Sequence, residues 1–217
     1  MTRLIDLGLN KLSNIILEMA SIAEKTVIKA IASYKEDSLE TTKEIFESSA
    51  KLRFLQDEVS ELTIELIARF QPVATDLRFI KSCMEISYGF SRFGRYAYDI
   101  IDALEIFGPL KLCNKSSVIR MSETVLEMMN TSVYALRLRD NSLSNKIYEM
   151  EDYIDILYKK SLREFATIIN ADTEYPDNRC NISSALILKY LERISDHASY
   201  IADAVNYIVT GTSSPRR

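Results

Sequence analysis

Structural punctuation is what most constrains this chain. Only five glycines and four prolines serve 217 residues, whereas an all-β chain needs turn signals roughly every 8–12 residues. So few turn signals do not suit an all-β chain, and long helices are the natural solution. Proline breaks a helix interior because it lacks the amide hydrogen and clashes with the preceding turn. Pro72, Pro109 and Pro176 lie in or beside polar or glycine-containing junctions, and Pro215 lies in the terminal GTSSPRR. Between the junctions apolar residues recur at spacings of three and four, as in Leu9, Leu12, Ile15, Ile16 and Met19, or Leu188, Leu191, Ile194, Ala198 and Ile201. That spacing marks one buried face of a helix. It predicts six helices over roughly 3–34, 38–70, 72–107, 116–139, 142–170 and 179–209, joined at 35–37, 108–115, 140–141 and 171–178. Ser38, Pro72 and Ser116 or Ser117 are the expected start signals, since a hydroxyl caps free amides and proline suits the first helical position.

Three long helices followed by three more suggest an internal duplication. An offset of 102 positions carries Ser49 and Arg53 onto Glu151 and Asp155, and one of 101 carries Ser91 and Arg95 onto Glu192 and Asp196. Three helices must pack together to hide their apolar stripes. The expected fold is therefore all-α, two tandem antiparallel three-helix bundles over 1–110 and 111–210, with 211–217 as a disordered tail.

Composition removes several functions. With 27 basic against 31 acidic residues, and a formal charge of -4, the chain lacks the electrostatic footprint of a nucleic-acid binder. Cys83, Cys113 and Cys180 form no C-x-x-C, so neither a disulfide framework nor a thiolate zinc site is expected, and a reducing cytoplasm fits best. The start, MTRLIDLGLNKLSN, lacks a signal-like apolar stretch, and no window approaches 18 uninterrupted apolar residues. A soluble protein that docks on a membrane partner without inserting is expected.

Glu151 and Asp155 share one helix face, as do Glu192 and Asp196. Seven acidic pairs have this spacing, so spacing alone identifies no site. The hairpin register adds more. Positions 151 and 196, and 155 and 192, are level about a turn within 171–178. In the first half 49 and 95, and 53 and 91, are level about Pro72. Both quartets then lie about 25–30 Å from their turns. Facing carboxylates repel unless protonated or bridged by a cation. An all-oxygen ligand set favours Mg²⁺, Mn²⁺, Ca²⁺ or iron, and His197 could add an imidazole.

QPVATDLRFI at 71–80, LERISDHASYIAD at 191–203 (with Ser195 where glycine is usual) and EMEDYIDILY at 149–158 resemble segments of the PhoU family of phosphate-uptake regulators. The repeat layout matches over essentially the whole chain. The resemblance implies metal-binding E(D)-x-x-x-D motifs, which places Glu151, Asp155, Glu192 and Asp196 as ligands of a divalent or trivalent ion such as iron, Zn, Mn or Mg. It also implies a cytoplasmic, homodimeric regulator that restrains phosphate uptake through contact with a phosphate ABC transporter or a phosphate-sensing signalling protein.

The first repeat departs from that pattern at Ser49, Arg53, Ser91 and Arg95. Two readings are open for it: exposed ion pairs of Arg53 with Asp57 and Arg95 with Asp99, or an anion pocket for phosphate or a partner carboxylate. Two other functions compete, a carboxylate-bridged di-metal enzyme and a structural bundle without metal. Ferritin-like enzymes require Glu-x-x-His, but Ile194 stands three residues before the only histidine, and the chain has no G-x-x-x-x-G-K-[ST] loop. A non-enzymatic binding role is expected.

Overall fold

The computed structural model describes residues 3–169 and 178–213. Its helices are α1 (Leu4–Glu36), α2 (Thr42–Phe70), α3 (Ala74–Phe107), α4 (Ser116–Leu138), α5 (Ser144–Ile169) and α6 (Arg179–Thr210), with one 3-10 turn at Asn141–Leu143 leading into α5. No strand occurs among the described residues. The expected turn at 171–178 lies outside them except for Asn178, as do positions 214–217 of the expected tail.

Two helix starts differ from expectation. Ser38 does not open α2. Asp37 takes a left-handed conformation that ends α1, and the Ser38 amide donates back to the Ser33 carbonyl at 3.0 Å. Ser38 thus closes one helix, and the next begins at Thr42. Pro72 likewise precedes its helix, because Gln71 is left-handed, Val73 is extended and α3 starts at Ala74. Helix α4 does begin at Ser116, but Asn114 receives its amide hydrogen, at 3.0 Å.

The apolar stripes fill one continuous core. Leu12, Met19, Ala23 and Val27 of α1 meet Ile80, Ile86, Phe90 and Phe93 of α3, all fully buried, and burial of each large side chain contributes about 1.5–3 kcal/mol. Helices α1, α2 and α3 pack together, as do α4, α5 and α6, and the most extensive helix pairing of all is α3 with α6. Gly89 permits that approach: a Cβ there would lie 3.2 Å from Ile201 Cγ1. The boundary between the repeats in sequence therefore coincides with a packed interface in space.

The 108–115 connection is pinned to its surroundings. The Leu110 amide donates to the Asp37 carboxylate at 2.9 Å, and Lys115 Nζ donates to the Tyr34 carbonyl at 2.6 Å. Cys113 is disulfide-bonded to Cys180, with Cα atoms 5.3 Å apart. This corrects the expectation of a chain without disulfides, and with it the cysteine argument for a reducing cytoplasm. The two are 67 residues apart in sequence, and only the folded arrangement brings the end of the connection to the first turn of α6.

Cys83 is the free cysteine, buried in the core, and burial pushes its thiol up to about 12. A thiol reagent at neutral pH should therefore count none in the native protein, one after denaturation and three after denaturation with reductant. A reactive thiol in the native, oxidised protein would contradict this arrangement.

Candidate functional site

The acidic quartet stands on α5 and α6. Glu192 and Asp196 are mostly covered and sit one turn apart. Lys189 donates to Glu192 at 2.6 Å and Arg193 to Asp196 at 3.0 Å. Burial, and then the neighbouring Glu192 charge, push the Asp196 carboxyl up to about 6 despite Arg193. On α5, Glu151 is half-buried and Asp155 is paired with Lys159 at 3.2 Å. Among the described residues no three His, Cys, Asp or Glu side chains stand close enough together to hold a metal ion. The donor chemistry suits a hard cation. In the arrangement described, lysine and arginine supply the counter-charge to Asp155, Glu192 and Asp196.

His197 turns its ring towards α3. It lies 5.5 Å from Tyr88, 6.0 Å from Tyr96 and 5.5 Å from Tyr200, centre to centre. Burial first, then the Arg92 and Arg193 charges, bring its pKa down to about 4, and its Nδ1 is buried without a partner. The imidazole is thus neutral at physiological pH, held in an aromatic cage at the interface between the repeats.

The Ser/Arg quartet is brought together as the hairpin register predicts. Ser49 and Arg53 of α2 and Ser91 and Arg95 of α3 line one groove of about 420 Å³, with Phe46, Arg92 and Tyr98. Phe46 meets Tyr98 edge to face at 5.6 Å across the two helices. Gly94 sets how closely they approach, since a Cβ there would lie 2.6 Å from Leu52 Cδ1 and 3.2 Å from Ser49 Cα. Arg95 pairs with Asp99 at 2.9 Å, as one of the two readings expected, but Asp99 is largely buried. Burial raises the Asp99 pKa against the lowering effect of Arg95. The expected Arg53 and Asp57 pair is not among the ion pairs of the described residues.

Arg92 escaped the sequence reading. The offset that matches Ser91 to Glu192 also matches Arg92 to Arg193. Arg193 lies between Glu192 and Asp196. At the same place in the first repeat Arg92 has Ser91 and Arg95 as neighbours. Its guanidinium donates to Tyr96 Oη at 2.7 Å, stacks over that ring at 4.6 Å, and leaves Nε buried without a partner.

Two fused three-helix repeats, the first with Ser49, Arg53, Ser91 and Arg95 lining one groove and the second with carboxylates on α5 and α6, define a tandem helical-repeat protein. The PhoU domain matches residues 16–104 and again residues 118–205. The chain belongs to the PhoU family. It is 28% identical over 214 residues to the phosphate-specific transport system accessory protein PhoU homolog of Clostridium acetobutylicum, covering 97% of each chain. It is 28% identical over 181 residues to the Aquifex aeolicus protein of the same name, 82% of this chain and 78% of that one. Its fold matches the crystal structure of PhoU from Pseudomonas aeruginosa at a TM-score of 0.88 with 25% identity, covering 96% of this chain and all of that one.

Proposed function

We propose that this chain is a cytoplasmic, homodimeric regulator of phosphate uptake that acts by binding, docking on a phosphate transporter or its signalling partner to restrain import. The double PhoU match carries the reading, together with relatives named as accessory proteins of the phosphate-specific transport system. No helix among the described residues is long and apolar enough to cross a membrane, so contact with a transporter would be made at its surface.

In this reading a metal ion at Glu151, Asp155, Glu192 and Asp196 orders the contact surface. Two half-buried carboxylates on adjacent turns of α6 support it, because a cation offsets the repulsion that burial intensifies. The bound ion would supply positive charge and fixed coordination, while the carboxylates would exchange their lysine and arginine partners for it.

The test has two parts. Elemental analysis of purified protein should find metal that is lost from an Asp155→Ala, Asp196→Ala double variant. Affinity capture from phosphate-replete and phosphate-starved cells should recover a phosphate transporter or signalling component with the native chain and much less with the variant. Equal metal in both proteins would remove the metal site. Failure to capture any such component in either state would remove the docking role.

A further inference from the structure

The groove between α2 and α3 carries positive charge that its own surroundings do not neutralise. Arg53, Arg92 and Arg95 all line it, and Asp99 pairs with one of the three. Nearby charges are occupied elsewhere: Glu47 lies 3.9 Å from Lys43 on its own helix, and Lys51 pairs with Glu18 on α1 at 2.6 Å. Asp102 also lies within electrostatic reach of Asp99, so counting ionised groups leaves a local excess of about one to two positive charges.

Internal symmetry indicates what is missing. Arg193 has carboxylates on both sides, at 3.0 Å from Asp196 and 3.7 Å from Glu192. The equivalent Arg92 forms no ion pair among the described residues, its charge acting on Asp99 from beyond contact, and its Nε is buried with no partner, an arrangement that costs free energy unless an acceptor arrives. Ser49 and Ser91 add hydroxyl donors to the same groove. Planar guanidinium forks and hydroxyls together suit an acceptor with several oxygens.

We propose that this groove is a binding site for a dianionic phosphoryl group, with Arg53, Arg92 and Arg95 as charge partners and the Ser49 and Ser91 hydroxyls as neutral donors. A dianion with several oxygens offsets this excess and occupies the guanidinium and hydroxyl donors more fully than a single carboxylate. The volume, about 420 Å³, also leaves space beside the Phe46 and Tyr98 rings for a group esterified to the phosphate. Inorganic phosphate and a phosphate monoester share the chemistry recognised here. The site rests on the groove alone and does not depend on transporter docking or on metal in the second repeat.

Equilibrium dialysis of chelator-treated protein at fixed ionic strength tests it, with inorganic phosphate and AMP as probes and glutarate as a dicarboxylate control. Saturable binding of at least one phosphoryl probe is expected. An Arg53→Gln, Arg92→Gln double variant should bind at least about tenfold more weakly, from the loss of two charge-assisted contacts. Ser49→Ala with Ser91→Ala, which leaves every charge in place, should weaken binding by roughly two- to fivefold. Arg69→Gln, at the far end of α2, should bind as the native chain does, and melting curves establish that each variant is folded. Tighter binding of AMP than of phosphate, lost on Phe46→Ala, assigns a monoester; equal binding assigns the free anion. No phosphoryl binding by the native chain, undiminished binding by the double arginine variant, or equally tight glutarate binding would overturn the proposal.

Discussion

Breaking the Cys113 and Cys180 bond, by reduction or by Cys113→Ser, should lower the unfolding free energy by about 2–4 kcal/mol and the melting midpoint by roughly 5–15 °C. The size follows from the closed loop: the bonded residues are 67 positions apart, and freeing a loop of that length restores conformational entropy to the unfolded chain. Little of the loss should arise in the folded state. The Leu110 amide remains bonded to Asp37 and Lys115 to the Tyr34 carbonyl when the sulfurs part, so the connection keeps its position. Denaturation curves recorded with and without reductant check this, and the Cys113→Ser protein should show no reductant effect. Coincident curves for the oxidised and reduced native chain would mean that the bond contributes no stability.

At the α2 and α3 crossing, Gly94→Leu should destabilise the protein by about 3 kcal/mol or more, whereas Gly94→Ala should cost about 1 kcal/mol net. Two effects compete at this position. Replacing a mid-helix glycine with alanine gains up to about 1 kcal/mol of helix propensity, while overpacking a tight contact costs about 1–3 kcal/mol. The new Cβ meets Leu52 Cδ1 at 2.6 Å, a side-chain end that can swing aside, and Ser49 Cα at 3.2 Å, which cannot move without shifting α2. The backbone contact decides the sign. Leucine extends the clash far beyond one carbon, so the helices must separate and the groove between them must widen. Urea melts measure the stability change, and a Gly94→Ala protein more stable than the native chain would show that α2 yields more easily than this geometry indicates.

The helices were legible because each hides an apolar face whose three-and-four spacing survives in the sequence. Their starts were less so. Ser38 and Pro72 carry the right chemistry for an N-terminus, yet the first helps close α1 and the second lies in a turn, since helix ends draw on the same small set of residues as helix beginnings. Hairpin register, a property of spacing, correctly brought Ser49, Arg53, Ser91 and Arg95 to one groove. The disulfide was illegible because its formation depends on how the connection folds back on α6. The neighbours of Arg92 and Arg193 differ in the sequence itself, but only the fold shows that Arg92 lines the groove and buries its Nε without a partner.

The pinned connection between the repeats has a mechanical consequence. A hinge needs a few residues free to absorb backbone rotation, but the segment between α3 and α4 is fixed to Asp37, Tyr34 and Cys180, and α3 and α6 are packed against each other alongside it. Closure of one half on the other would have to break the anchors of the connection and the α3 and α6 packing together, so the geometry opposes a clamp that closes around a ligand between the repeats.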